Sequence, residues 1–147
     1  MQQLSGQDAM FLHAELDGLP QHIGGVSIYD QSTAPGGKVR FKQILAMLES
    51  RLHLSPIFRR KLAFVPYGLG RPYWVEDPDF DLDWQVRLSA RPGKSDKVAL
   101  ERFVSLLAST PLDKTKPLWQ FHLVEKYGGG SALIIRIHHC YADGIAL

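Results

Sequence analysis

The sequence predicts an α/β (α+β) fold in two layers, a mixed β-sheet with flanking helices, on three observations. Segments of strand period and of helix period alternate along the 147 residues instead of being grouped. The run from Ala132 to Ile137 is β-branched and apolar apart from Arg136, as in a strand covered on both faces. Gly128, Gly129 and Gly130 join that run to the strand before it, so the two form a hairpin. With 45% hydrophobic and 22% charged residues the chain resembles an ordinary globular domain and has enough apolar material for a sizeable core. A net charge of +2 without any block of like charge argues against a nucleic-acid partner. No apolar stretch approaches the ~20 residues of a membrane span, so membrane contact is expected to be peripheral. The single cysteine, Cys140, cannot form an internal disulfide, which fits a reducing compartment.

Each element has its own signal. Ser5 caps a helix over Gln7 to Leu16, with Met10, Phe11 and Ala14 as its apolar stripe. His22 to Tyr29 alternates loosely around Gly24 and Gly25 as a strand, and a turn-rich break follows from Ser32 to Gly37. Phe41, Ile44, Leu45, Leu48 and Leu52 fall at helical spacing, which predicts an amphipathic helix over Val39 to His53 that Ser55 and Pro56 end. Arg59, Arg60 and Lys61 form a basic cluster, read as a solvated edge, ahead of a strand from Leu62 to Val65. Tyr73 to Val75 is a short strand, and Asp77-Pro78-Asp79 turns the chain into a half-exposed strand from Phe80 to Leu88. Arg91-Pro92-Gly93 breaks it, and Ser95 caps a helix with Val98, Phe103, Val104 and Leu107 on its buried stripe, closed by Pro111. A strand from Pro117-Leu118-Trp119 to Lys126 completes the hairpin.

Chemistry concentrates where the last strand stops. His138 and His139 end it, Asp143 follows in a small-residue loop, and Gly144 allows a tight turn. Strand parity places Ile135, Ile137 and His139 on one face and Arg136 and His138 on the other, so the imidazoles cannot both meet one substrate. A histidine beside a buried apolar strand is held neutral and can accept a proton, as a general base must. The same residues also allow hydrogen-bonded structural histidines, or a metal held by His139 and Asp143, although no further ligands accompany that pair.

The spacing His138-His139-x-x-x-Asp143-Gly144 resembles the signature of the coenzyme-A-dependent acyltransferase superfamily. That superfamily includes chloramphenicol acetyltransferases, peptide-synthetase condensation domains and bacterial wax ester synthase/diacylglycerol acyltransferases. Further blocks narrow the resemblance to the last of these: Gln7 to Leu12, His22 to Gly25, Arg71 to Leu82, and Pro111-Leu112-Asp113 with Pro117-Leu118-Trp119. The pattern departs at Gln120, where relatives commonly carry an acid.

The resemblance implies that residues 1–147 are an amino-terminal half-domain, chloramphenicol-acetyltransferase-like, whose carboxyl-terminal half is absent. It implies transfer of a fatty acyl group from acyl-coenzyme A, a co-substrate rather than a bound cofactor, to diacylglycerol or a long-chain alcohol, without a metal. His139 would be the base, His138 its neighbouring support, and Asp143, steadied by Arg59 and Gly144, a brace for the loop. Pro117, Leu118 and Trp119 would form the substrate-side block accompanying the motif. Expected partners are the two substrates, the carboxyl-terminal half and a second copy of the chain. The expected location is cytoplasmic, with peripheral contact at the inner membrane face or lipid bodies. Rival readings are an acyltransferase acting on an amine or small alcohol, and a non-catalytic half that binds lipid or a partner chain.

Overall fold

The computed structural model describes residues 1–16, 19–89 and 97–141. A short strand β1 (Gln2–Gln3) leads to α1 (Gly6–Ala14), whose first turn is capped where the Asp8 N–H donates to Ser5 Oγ at 3.0 Å. Next come β2 (His22–Tyr29) and α2 (Phe41–Arg51), which tightens into 3-10 turns at Leu52–Leu54 and Pro56–Arg59. Strands β3 (Arg60–Ala63) and β4 (Tyr73–Glu76) precede a single helical turn α3 (Leu82–Gln85) and β5 (Val86–Ser89). The last elements are α4 (Lys97–Ser109), β6 (Trp119–Tyr127) and β7 (Gly130–His138).

The strands form two sheets, one ordered β2-β7-β6-β5 and a smaller one ordered β1-β4-β3. In the larger sheet β2, β7 and β6 are antiparallel neighbours while β5 joins β6 in parallel, so the sheet is mixed as the sequence predicts. The hairpin between β6 and β7 turns on Gly128 and Gly129 at φ of 55° and 84°, a left-handed pair suited to a two-residue turn. Gly130, just inside β7, has no room for a side chain: a Cβ there would lie 1.9 Å from the Tyr29 carbonyl oxygen.

Two apolar clusters hold the layers. One gathers Leu4, Ala9 and Leu12 from the amino-terminal segment with Leu62, Trp74, Leu112, Leu118 and Cys140. The other packs Leu100 and Leu107 of α4 on Val124, Ala132 and Ile134 of the large sheet. Leu118 is fully buried and Trp119 is 2% exposed, each contributing roughly 1.5–3 kcal/mol or more of apolar burial at the base of the hairpin.

Several expectations are corrected. The strand expected from Phe80 to Leu88 begins at Val86, because Asp81 Oδ1 accepts from the Asp83 and Trp84 N–H groups and starts a helical turn instead. The strand expected at Leu62 starts two residues earlier. Arg60 and Lys61 are drawn into it, and pair with Glu76 at 3.1 Å and Asp77 at 2.8 Å. Helix α1 buries Ala9 and Leu12, not the stripe through Met10 and Ala14, since its contact with the core falls one residue around the helix. The stripe of α2 is only half-buried. Val98 is exposed at the start of α4, where Leu100 takes the buried position. Strand β7 is not covered on both faces. Ala132, Ile134, Arg136 and His138 are buried, with α4 packed on that side, whereas Leu133, Ile135 and Ile137 are half-buried. The expected Ser95 cap lies outside the described residues.

Candidate active site

The site is built at the carboxyl end of β7, where the strand stops at His138 and His139 opens the turn beyond it. His138 stands opposite His22 of β2, its own N–H donating to the Leu118 carbonyl at 2.9 Å. Its side chain is 1% exposed. Nδ1 accepts the Cys140 N–H at 3.1 Å, so this nitrogen carries no proton and a neutral ring must be protonated at Nε2. The Tyr141 N–H closes the turn onto the His138 carbonyl at 3.0 Å. Burial pushes the imidazole down to about 4, which Glu15 resists but does not overcome. His138 is therefore neutral at pH 7, as expected, but sealed from any substrate. It folds the turn that carries the rest of the motif.

His139 begins the turn. Its N–H donates to the Gln21 carbonyl at 2.9 Å, and its ring stacks on Phe11 of α1 with centroids 4.6 Å apart and planes 16° apart. Nδ1 is sealed and meets no partner among the described residues. His139 is half-buried, which makes it the more accessible of the two motif imidazoles. The two rings thus differ in exposure, with His138 sealed and His139 half-buried.

A frame of backbone bonds surrounds them. The Tyr141 hydroxyl donates to the Arg60 carbonyl at 2.6 Å and accepts the Leu118 N–H at 3.1 Å. The Trp119 indole N–H donates to the Phe58 carbonyl at 2.8 Å, and Gln85 Nε2 donates to the Pro117 carbonyl at 2.9 Å. Pro117, Leu118 and Trp119 accordingly brace the motif strand against the segment before β3. Cys140 lies in the core, where burial pushes its thiol far up and leaves it inert. Arg59 is exposed, its guanidinium 5.2 Å over the Phe80 ring. Its expected partner Asp143, and Gly144, lie outside the described residues. Among the described residues, no group of three or more His, Cys, Asp or Glu is arranged to hold a metal ion.

The model of the wax ester synthase/diacylglycerol acyltransferase catalytic domain matches residues 4–147. The chain belongs to this family. A Mycobacterium tuberculosis protein named as a diacylglycerol O-acyltransferase is 38% identical over 148 residues, covering 100% of this chain and 31% of the relative. A second from that organism is 34% identical over 143 residues, covering 97% of this chain and 52% of the relative. The wax ester synthase/diacylglycerol acyltransferase from Marinobacter aquaeolei VT8 superposes with a TM-score of 0.78 at 30% identity, over 98% of this chain and 36% of that one. The starter condensation domain of rhizomide synthetase, in complex with C8-CoA, shares the fold at a TM-score of 0.70 and 13% identity, over 95% of this chain and 31% of that one. The chain spans about a third of the length of the first curated relatives it matches.

Around the two histidines the structure adds residues that the sequence did not single out. Glu15, just past α1, has a side chain 4% exposed, with Oε2 2.5 Å from Lys114 Nζ and Oε1 3.7 Å from His138 Nε2. Burial raises the Glu15 pKa, but the Lys114 bond and charge, the Gln21 N–H and His138 outweigh it and leave the carboxyl below its ordinary value. Arg136, 4% exposed, donates to the Leu107 carbonyl at 2.5 Å and the Thr110 carbonyl at 2.7 Å, closing the end of α4. It also donates to Gln120 Oε1 at 2.6 Å. The unusual amide at Gln120 is thus the acceptor for a buried guanidinium. Arg136 inside an apolar run was a signal for such a contact, whereas nothing in the spacing marked Glu15 or Lys114.

Proposed function

We propose that this chain is the amino-terminal half of an O-acyltransferase that moves a fatty acyl group from acyl-coenzyme A to diacylglycerol or a long-chain alcohol. The observation that carries the reading is the placement of His139: half-buried just past the end of β7, pinned by Phe11 and Gln21, beside a neighbour that is sealed. His139 Nε2 takes the acceptor hydroxyl proton as the oxygen attacks the thioester carbonyl. The tetrahedral adduct collapses, the C–S bond breaks, and the imidazolium returns the proton to the departing thiolate. Triacylglycerol or wax ester and free coenzyme A result, and no acyl-enzyme forms. Asp143 and Gly144 hold the loop after the histidines, with Arg59 as the expected partner of Asp143.

The carboxyl-terminal half supplies the facing wall of the site. Its landing surface includes the exposed edge strand β2, where Val26 is 43%, Ile28 64% and Tyr29 46% exposed. The same surface supports self-association of the isolated chain and contact with lipid bodies or a membrane face. Among the described residues no helix is long and apolar enough to cross a membrane. Turnover of acyl-coenzyme A by the full-length protein with diacylglycerol, long-chain alcohol, amine and small-alcohol acceptors tests the proposal. Ester formation with the first two upholds it. Transfer only to an amine or small alcohol, or no transfer with any acceptor, overturns it.

A further inference from the structure

We infer that Glu15 and Lys114 form the positioning pair for the reactive histidine, an assignment that rests on the acyltransferase reading and deepens it. One carboxylate reaches the motif by two routes. Through Oε1 it accepts the Gln21 N–H at 3.3 Å, and the Gln21 carbonyl in turn accepts the His139 N–H at 2.9 Å. The same oxygen faces His138 Nε2 at 3.7 Å, and His138 Nδ1 accepts the Cys140 N–H at 3.1 Å. The backbone amides of residues 139 and 140 are thus both referred to Glu15, from opposite sides of the histidine whose ring must be aimed. Lys114 fixes the other oxygen at 2.5 Å, presented by a turn in which Asp113 Oδ1 accepts the Thr115 N–H at 2.9 Å.

Glu15 lies on the sealed face and touches no reacting atom, so its role is to position. A separation of 3.7 Å is too long for a hydrogen bond, and the Glu15–His138 contact is electrostatic: the carboxylate favours the ring whose Nε2 carries the proton and whose Nδ1 is free to accept Cys140. The other titratable groups facing His138 are His22, His139 and Lys114. An ion pair with one buried partner is a weak source of net stability, because desolvation of the carboxylate offsets most of its attraction. What this pair supplies is direction, a fixed point in a low-dielectric corner from which two short hydrogen-bonded routes run to the motif.

The test has two arms. In the full-length protein, Glu15→Ala and Lys114→Met should lower kcat by about 10- to 100-fold, the range found for groups that orient metal-bound imidazoles and taken here by analogy, with KM for acyl-coenzyme A little changed. Lys114→Arg should recover most of what Lys114→Met loses. In the 147-residue chain, the same substitutions should speed hydrogen exchange of the His139 and Cys140 amides about tenfold or more relative to the β6–β7 ladder. Wild-type kcat in folded Glu15→Ala or Lys114→Met protein, whatever its melting temperature, overturns the assignment. So does unchanged exchange at both amides. Should Glu15→Ala fail to fold, the Lys114 variants decide, since Lys114 is 38% exposed. If the unmodified full-length protein transfers no acyl group, the functional reading fails instead, and the exchange arm alone decides the positioning role.

Discussion

His138 and His139 are consecutive residues with the same side chain, yet the sheet places them in different chemical environments. One ring is 1% exposed, commits Nδ1 to a backbone N–H, and faces an ion pair. The other is half-buried and lies against the Phe11 ring. Side-chain identity therefore does not assign the role. Position does: the last residue of the strand turns its imidazole into the structure, and the first residue of the turn keeps its own half-buried.

The comparison breaks most visibly in activity. His139→Ala in the full-length enzyme should lower turnover by ~10² to 10⁴, the contribution of positioned proton transfer, while the melting temperature of the chain barely moves. Near-normal turnover from folded His139→Ala protein would remove the base from the mechanism.

Acid should act on the sealed side. His138 and His122 are both buried and held at about 4 in the folded chain, against 6.5 when unfolded. Both therefore protonate first in the unfolded state. Their contribution is fully present above pH 6.5 and is lost as pH falls from 6.5 toward 4, by about 3 kcal/mol each at most, with no further loss below. Urea denaturation at a series of pH values measures this slope, and His122→Gln should remove roughly half of it.

A smaller loss is expected from His138→Ala, which strips the acceptor from the Cys140 N–H. Leaving that buried donor unsatisfied costs about 1–3 kcal/mol, with an added cost for the cavity. Turnover should fall less than in His139→Ala. A His138 variant as inactive as the His139 variant, but equally stable to urea, would reverse the two roles.

The smallest effect is expected at Gln120. Gln120→Glu places a carboxylate against the buried Arg136 guanidinium and should add about 1 kcal/mol near neutral pH. With its folded pKa below its unfolded one, the new carboxyl should lose that gain as pH drops through the folded value. Destabilisation at neutral pH would mean that desolvation outweighs the pairing.

Much of this division was legible in the sequence. The apolar run ending at His138 and the glycines at the hairpin turn were enough to place the two imidazoles at the end of the strand, because each is a local signal. Other features depended on competition or on distance. Asp81 caps a turn where hydrophobic alternation suggested a strand, since a side-chain acceptor can satisfy backbone donors before a sheet does. Glu15 and Lys114 meet across 99 positions without any periodic signature, and only the docking of α1 beside the 110–116 turn brings them together. The open side of β7 escaped notice because a run of isoleucines reads the same whether one face or two are covered.

The most direct test of this division is the histidine side-chain nitrogen spectrum of the 147-residue chain, assigned with His138→Gln and His139→Gln variants and followed from pH 8 to about 5. His138 should remain neutral, protonated at Nε2 and bare at Nδ1, with a ring proton that exchanges with water much more slowly than that of His139. A His138 ring that is charged near neutral pH, protonated at Nδ1, or as open to exchange as its neighbour would contradict the separation on which the proposed mechanism depends.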